Sequence, residues 1–323
     1  GAVWSSGNIL ASVEAYQRDA LPSAARAFTG NADLRPQGGT DRRLTFSHPG
    51  NIMVLDVAAG AYVPTWAIPA GQTGTGLTPA SFQRGVVNYE NQREGTDVLP
   101  EQTRRSGYLA FTQALSPRLE ISGDARFTRR DFAFALPGSP ANLTVTRANP
   151  YFVSPNGSAS HVIAYAFTDE LGPLRTHGRS DSAAASLGGH LDLGRTWRAS
   201  AYGAYAEESG RRFSPGRLNT RFLNEALGNI ADDPATAFSA ARDGYFNPFG
   251  DGGANGRAVL DFIGSGYINW RTDSTVTTYN AQGDGALFTL PGGGVKLAVG
   301  AQERRETFEA ATLSMTSAAR QSV

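Results

Sequence analysis

Apolar and polar residues alternate strictly along several stretches of about ten residues, the period of an extended strand with two unlike faces. From Leu119 to Thr128 one face reads Leu119, Ile121, Gly123, Ala125, Phe127 and the other Glu120, Ser122, Asp124, Arg126, Thr128. From Ser182 to Leu193, Ala183, Ala185, Leu187, Gly189, Leu191 and Leu193 oppose Ser182, Ser186, His190 and Asp192. The same split recurs from Ile9 to Ala15, Leu109 to Leu115, Trp197 to Tyr205, Thr277 to Leu287 and Val295 to Ala301. The pattern predicts an all-β, antiparallel chain of about seven long strands, each long enough to cross a bilayer at a tilt of about 45°.

A water-soluble sheet with one wet face alternates in the same way, so the connections decide between the two. Ser116-Pro117-Arg118, Gly194-Arg195-Thr196 and Pro291-Gly292-Gly293-Gly294 are short and made of turn formers. Between these hairpins run excursions over 19–105, 129–175 and 209–268, far beyond the ~4–6 residues usual in compact domains. Tight turns on one rim and long loops on the other are the arrangement of an outer-membrane barrel, with periplasmic turns and extracellular loops. Trp197, Phe288, Tyr205, Phe127 and Tyr108 fall near the ends of the predicted strands, where interfacial aromatic girdles sit.

Inside the excursions, Leu218, Phe222, Leu223, Ala226 and Leu227 have helical spacing. Asp233-Pro234 reads as the start of a helix over Ala235 to Arg242, and a third short helix is predicted at Val259 to Ile263. His161 to Thr168 is apolar on both faces, which predicts a loop hairpin packed over the barrel mouth.

Composition narrows this picture modestly. The 323 residues carry 29 basic and 29 acidic side chains, a balance that argues against a nucleic-acid surface or a polybasic membrane tether. Lys296 is the only lysine. With no cysteine, thiolate chemistry, disulfides and Cys-ligated zinc are excluded. No apolar run approaches the ~20 residues of a spanning helix, so a membrane would be crossed by strands. The chain begins on Gly1 and stops on Ser322-Val323 in mid-pattern, as a segment of a longer protein would.

The loop sequences Asp19-Ala20-Leu21-Pro22, Ala32-Asp33-Leu34-Arg35-Pro36, Ala148-Asn149-Pro150-Tyr151-Phe152-Val153-Ser154-Pro155-Asn156-Gly157 and Phe246-Asn247-Pro248-Phe249-Gly250-Asp251-Gly252 resemble one large branch of the TonB-dependent receptors. The stretch from Leu290 to Ala301, followed by Arg304-Arg305-Glu306, is similar to a mid-barrel hairpin of that branch. The resemblance covers nearly the whole chain. It implies a closed barrel of about 22 strands around a plug, located in the outer membrane of a Gram-negative cell. It also implies import of a scarce small-molecule nutrient, such as a ferric siderophore, driven by the TonB energy-coupling complex. A plug domain, a TonB-contacting box, a signal peptide and an aromatic-ended closing strand have no counterpart in these residues, so transport is expected of a longer parent protein.

Covalent chemistry is not indicated. His48, His161, His177 and His190 are scattered, with no nucleophile elbow and no HExxH spacing. Gly71-Gln72-Thr73-Gly74-Thr75-Gly76 lacks the strand, helix and lysine of a phosphate loop and reads as flexible. Asp251 in Gly250-Asp251-Gly252-Gly253 is a weak calcium candidate, read first as a turn. The sequons at Asn142 and Asn156 have no secretory context here. Neither cofactor nor catalytic residue is expected.

The remaining candidates are the polar residues of the predicted lumen face: Glu120, Asp124, Arg126, His190 and Asp192. His190 and Asp192 could form a two-ligand metal corner, though a solvated pair is the plainer reading. Two functions follow: ligand capture and TonB-energised import through an outer-membrane wall, or a surface-exposed β protein that binds a glycan or protein partner without transport.

Overall fold

The computed structural model describes residues 1–251 and 253–318. Gly252, part of the glycine-rich turn considered for calcium, and the terminal Ser322-Val323 lie outside the described residues. One eight-stranded antiparallel sheet dominates. Its strands in chain order are β1 (Ala2–Trp4), β2 (Gly7–Arg18), β8 (Glu101–Ser116), β9 (Leu119–Leu136), β12 (Leu174–Gly194), β13 (Trp197–Arg217), β14 (Gly266–Leu290) and β15 (Gly293–Ser314). That sequence of neighbours is also their spatial order, so the sheet is a simple meander with free edges at β1 and β15, and it does not close on itself.

All seven predicted strands are present, and each is longer than its alternating stretch. β9 runs to Leu136 and β13 to Arg217. The reason lies in the side chains: beyond Phe127 the apolar face of β9 becomes Arg129 and Asp131, so the contrast between faces disappears while the hydrogen-bond ladder continues. Tyr108, Phe127 and Tyr205 therefore lie in the middle of their strands, and Tyr108 shares a row with Arg126 on the polar face. Only Trp197 and Phe288 of the five expected girdle aromatics sit close to a strand end. Near Phe288, a bulge between Ala286 and Phe288 passes the outward position from Leu287 to Phe288.

Four two-residue turns, Ser5-Ser6, Pro117-Arg118, Arg195-Thr196 and Pro291-Gly292, join the strands at one rim. Gly194 and Arg195 have φ of 89° and 56°, left-handed values that reverse the chain where the register shifts at the end of β12. All three long excursions, 19–100, 137–173 and 218–265, leave from the opposite rim.

The excursions build one body. The first supplies β3 (Leu21–Pro22), β4 (Asn51–Asp56), β5 (Ala61–Ala67), β6 (Gln83–Arg84) and β7 (Asp97–Leu99), with helix α1 (Ala27–Gly30). The second supplies β10 (Pro140–Thr146), β11 (Ser160–Ala166) and α2 (Thr168–Leu171). They merge into a five-stranded sheet ordered β10-β11-β4-β5-β6, and the short β3 and β7 pair separately. The doubly apolar run from His161 is β11, an interior strand of this sheet, which explains why it has no wet face. The third excursion adds α3 (Thr220–Ala226), α4 (Ala240–Asp243) and α5 (Arg257–Ile263). α3 and α5 match the helical spacing read from the sequence. The helix expected over Ala235 to Arg242 does not form until Ala240: Asp233 caps a turn through Ala235 N–H, and Asp232 takes the Ala240 N–H instead.

Burial separates the two parts sharply. Tyr165, Phe167, Phe246, Phe249, Ile52, Ile68, Leu143, Ile163, Leu227 and Ile263 are fully buried, and all belong to the excursions. Among the described residues Ala135 is the one buried apolar residue of the large sheet. Two Asn-Pro turns stitch the body together. The Asn149 side chain accepts from Tyr151 N–H and donates to the carbonyls of Leu227 and Phe246; Asn247 accepts from Phe249 N–H and donates to the Thr73 carbonyl. Asn219 caps α3 and donates to the Met315 carbonyl, tying the body to the end of β15.

Candidate functional site

The apolar face of the large sheet has a geometry that single strands do not reveal. On the long strands the residues nearest the short turns are apolar on this face, and a charged or polar residue ends the series. The exception is Gln113 of β8, whose amide is held by Trp4 and Ser6 at the sheet edge. On β2 the last apolar residue is Ala15 before Gln17; on β8 and β9 they are Gly107 before Arg105 and Phe127 before Arg129. On β12 and β13 they are Ala183 before Asp181 and Tyr205 before Glu207, and on β15 Ala301 precedes Glu303. The boundary crosses the hydrogen-bonded rows. The row that contains Ala301 runs through Ala281, Ala201, Gly189, Ile121 and Gln113 to Gly7, and Gly7 lies eight residues short of Ala15. The limit of the apolar band thus slips eight residues over the six strand-to-strand steps from β2 to β15. Aromatic rings on this face lie over glycines of the next strand: a side chain at Gly285 would collide with Trp197, and one at Gly123 with Phe111.

The five predicted polar residues all fall on the other face. His190 and Glu120 are direct cross-strand partners, with Nδ1 3.8 Å from Oε1. Asp124 accepts a hydrogen bond from Ser186. Arg126 stands opposite Tyr108 and Ala184. Asp192 is drawn into the turn, where its carboxylate accepts the Gly194 N–H at 2.9 Å. The metal corner of His190 and Asp192 is therefore not formed: the carboxylate beside His190 is Glu120. The candidates are spread along the face and do not converge on one point.

A group that sequence reading missed lies inside the loop body. His48, from the first excursion, is buried with Nδ1 3.1 Å from Asp169 and 3.9 Å from Asp251, and its ring packs edge-on to Tyr165 at 5.2 Å. Glu170 accepts from Asn255 at 2.6 Å. His48 Nε2, the Tyr165 hydroxyl and Glu170 Oε2 are buried with no hydrogen-bond partner among the described residues. Burial pushes the Glu170 carboxyl above its ordinary range; burial and then the Glu170 charge push the Tyr165 phenol up strongly. Burial likewise raises Glu90, which borders the same region, and lowers His161. Only the apolar run around Tyr165 was legible, because the others come from distant, unremarkable loop positions.

The linkage has a definite sign. A carboxyl whose folded pKa is raised keeps its proton in the fold after the unfolded chain has lost it, so its support is complete below about pH 4.5 and declines as pH rises through the raised value. His161 acts oppositely: it costs stability as pH falls below about 6.5, where the unfolded chain gains the proton first. Glu170→Gln, which keeps an acceptor for Asn255 and removes the charge, is expected to make the loop body more resistant to protease in urea at pH 7.5 and to change it little at pH 4.5. Equal resistance of the two proteins at pH 7.5 would remove Glu170 from this role.

The glycine run from Gly71 to Gly76 is not a free loop. Gly71 N–H donates to Asp251 at 2.6 Å, Asp251 N–H to the Gln72 carbonyl at 2.8 Å, and a side chain at Gly74 would strike Asn247. Asp251 thus serves this contact and the His48 region. Among the described residues no group of three or more His, Asp or Glu could hold a metal ion, and no helix is long and apolar enough to cross a membrane. Compared with models of protein families, with curated proteins and with solved structures, the chain matches none.

Proposed function

We propose that the large sheet is part of the wall of an outer-membrane β-barrel of the TonB-dependent receptor type, and that the loop body captures a small nutrient for energised import. The oblique apolar band carries this reading. Eight residues at ~3.4 Å and six strand steps at ~4.8 Å set the band about 40° from the rows, the tilt of strands in a membrane barrel. On each strand the band is about ten residues deep, the length of a tilted crossing. A water-soluble sheet packed on a core has no reason to cut its rows obliquely. The rows also lack a protein cover, since the buried apolar side chains lie in the excursions.

In such a wall the polar face turns to the lumen, where Glu120, Asp124, Arg126 and His190 would meet the plug of the parent protein. The free edges at β1 and β15 would be paired by further strands, because unpaired backbone groups in lipid cost several kcal/mol each. The large excursions would face outward and the four short turns inward. Protease added to intact cells that make the protein is expected to cut within 19–100, 137–173 or 218–265 and to spare the turns until the outer membrane is opened. Cleavage at both rims of intact cells would refute the wall. Under iron limitation with ferric siderophores supplied, the protein is expected to support growth only where the TonB complex works; equal support without it would refute import.

A second reading, a surface protein that binds a glycan or protein partner without transport, is favoured by the β4–β5 hairpin, whose tip exposes Leu55, Val57 and Tyr62. Release from membranes by alkaline washing would support it over the wall.

A further inference from the structure

Just past the apolar limit, the same face carries arginines in unusual register. Arg105 on β8 stands directly opposite Arg129 on β9, and Arg179 on β12 directly opposite Arg211 on β13. Like charges in directly opposed positions are destabilising unless something neutralises them. Two carboxylates do part of this: Asp181 takes Arg129 at 2.6 Å and Asp131 takes Arg179 at 2.7 Å. Arg105 and Arg211 have no ion pair within 4 Å among the described residues, and all four guanidiniums are exposed. Arg271 on β14 stands opposite Arg211 in the same row and is held by Asp273 at 2.6 Å, and Glu309 stands opposite Asp273. The two rows together hold five arginines and four carboxylates, with Arg105 and Arg211 left without an ion pair among the described residues.

We propose that this patch binds the phosphate of a membrane-lipid headgroup. A guanidinium offers a planar fork of donors that fits phosphate oxygens in pairs, and an anion between opposed arginines relieves their repulsion. The position selects a lipid over a free anion. Arg105 is two residues beyond Gly107 and Arg129 two beyond Phe127, so a headgroup held there continues into acyl chains lying on the apolar band. The inference rests on the wall reading and goes beyond it by naming a ligand for the outer surface.

The test uses the parent protein, with the strands that complete the wall, extracted from outer membranes in mild detergent, with native mass spectrometry counting bound lipid. Lipid A is the probe; dephosphorylated lipid A and inorganic pyrophosphate are the comparisons. Arg105→Gln with Arg211→Gln is expected to weaken lipid A retention on the order of tenfold. Arg304→Gln, on the opposite face, is expected to leave it unchanged. Equal retention by the double variant, or equal retention of the dephosphorylated lipid, overturns the proposal, as does pyrophosphate displacing lipid A completely, which would mark a site for soluble anions. Heat-modifiable gel mobility separates the two levels: an unsubstituted protein that never assembles in membranes overturns the wall and this site together, whereas an assembled protein without lipid discrimination overturns the site alone.

Discussion

Leu187→Arg is expected to block assembly of the sheet in membranes, at a cost of about 2–4 kcal/mol, because Leu187 sits midway along the apolar band of β12. The band on this strand runs from Leu193 at the turn to Ala183, and Leu187 is well exposed with only Gly123 and Gly203 beside it in its row. Neither row neighbour has a side chain to receive a guanidinium. The effect should depend on depth: Leu119→Arg, next to the Pro117-Arg118 turn, can reach the interface and is expected to cost only about 0–1 kcal/mol. Ser186→Arg, on the polar face, is expected to be tolerated in the same way. The assembled fraction, read from heat-modifiable gel mobility, checks all three. If the face were wet, Leu187→Arg would behave as an ordinary surface change within about 0.5 kcal/mol.

Phe246→Ala is expected to cost the loop body about 3–5 kcal/mol, the usual penalty for emptying a fully buried aromatic site. The ring packs against Tyr165 at 5.6 Å and Phe167 at 5.5 Å, both from the second excursion. Its backbone donates to the Ala226 carbonyl and accepts from Asn149. The residue therefore joins the second and third excursions, and its loss is expected to expose them to protease while the long strands stay paired. Cleavage mapped by mass spectrometry should fall within 137–173 and 218–265. Loss of strand pairing at the same denaturant concentration would show that the two parts fold as one unit.

The strands were legible because a period of two is written directly into each of them, and their neighbours follow from short turns. Their full length was not, since Arg129-Arg130-Asp131 carries charge on both faces and local pattern has nothing to contrast. The loop body was legible only in pieces. His161 to Thr168 could be read as buried, but its partners in β4 lie more than a hundred residues earlier, a distance that no periodicity spans. The same holds for the His48, Tyr165 and Glu170 group, assembled from two excursions. Alternation put the five polar candidates on one face, opposite the apolar one, and the register has them there. Which of them the turn consumes, as it does Asp192, depends on hydrogen bonds that the pattern does not encode.

The oblique band gives the most direct test. Leu187 on β12 and Glu303 on β15 lie in one hydrogen-bonded row on one face, linked through Gly203 and Tyr279. Because the chain has no cysteine, a nitroxide can be placed at either position alone. In outer-membrane vesicles the wall predicts that a label at 187 is accessible to oxygen and shielded from an aqueous nickel complex, and that a label at 303 shows the reverse. Equal accessibility of the two positions to the nickel complex would contradict a tilted membrane wall.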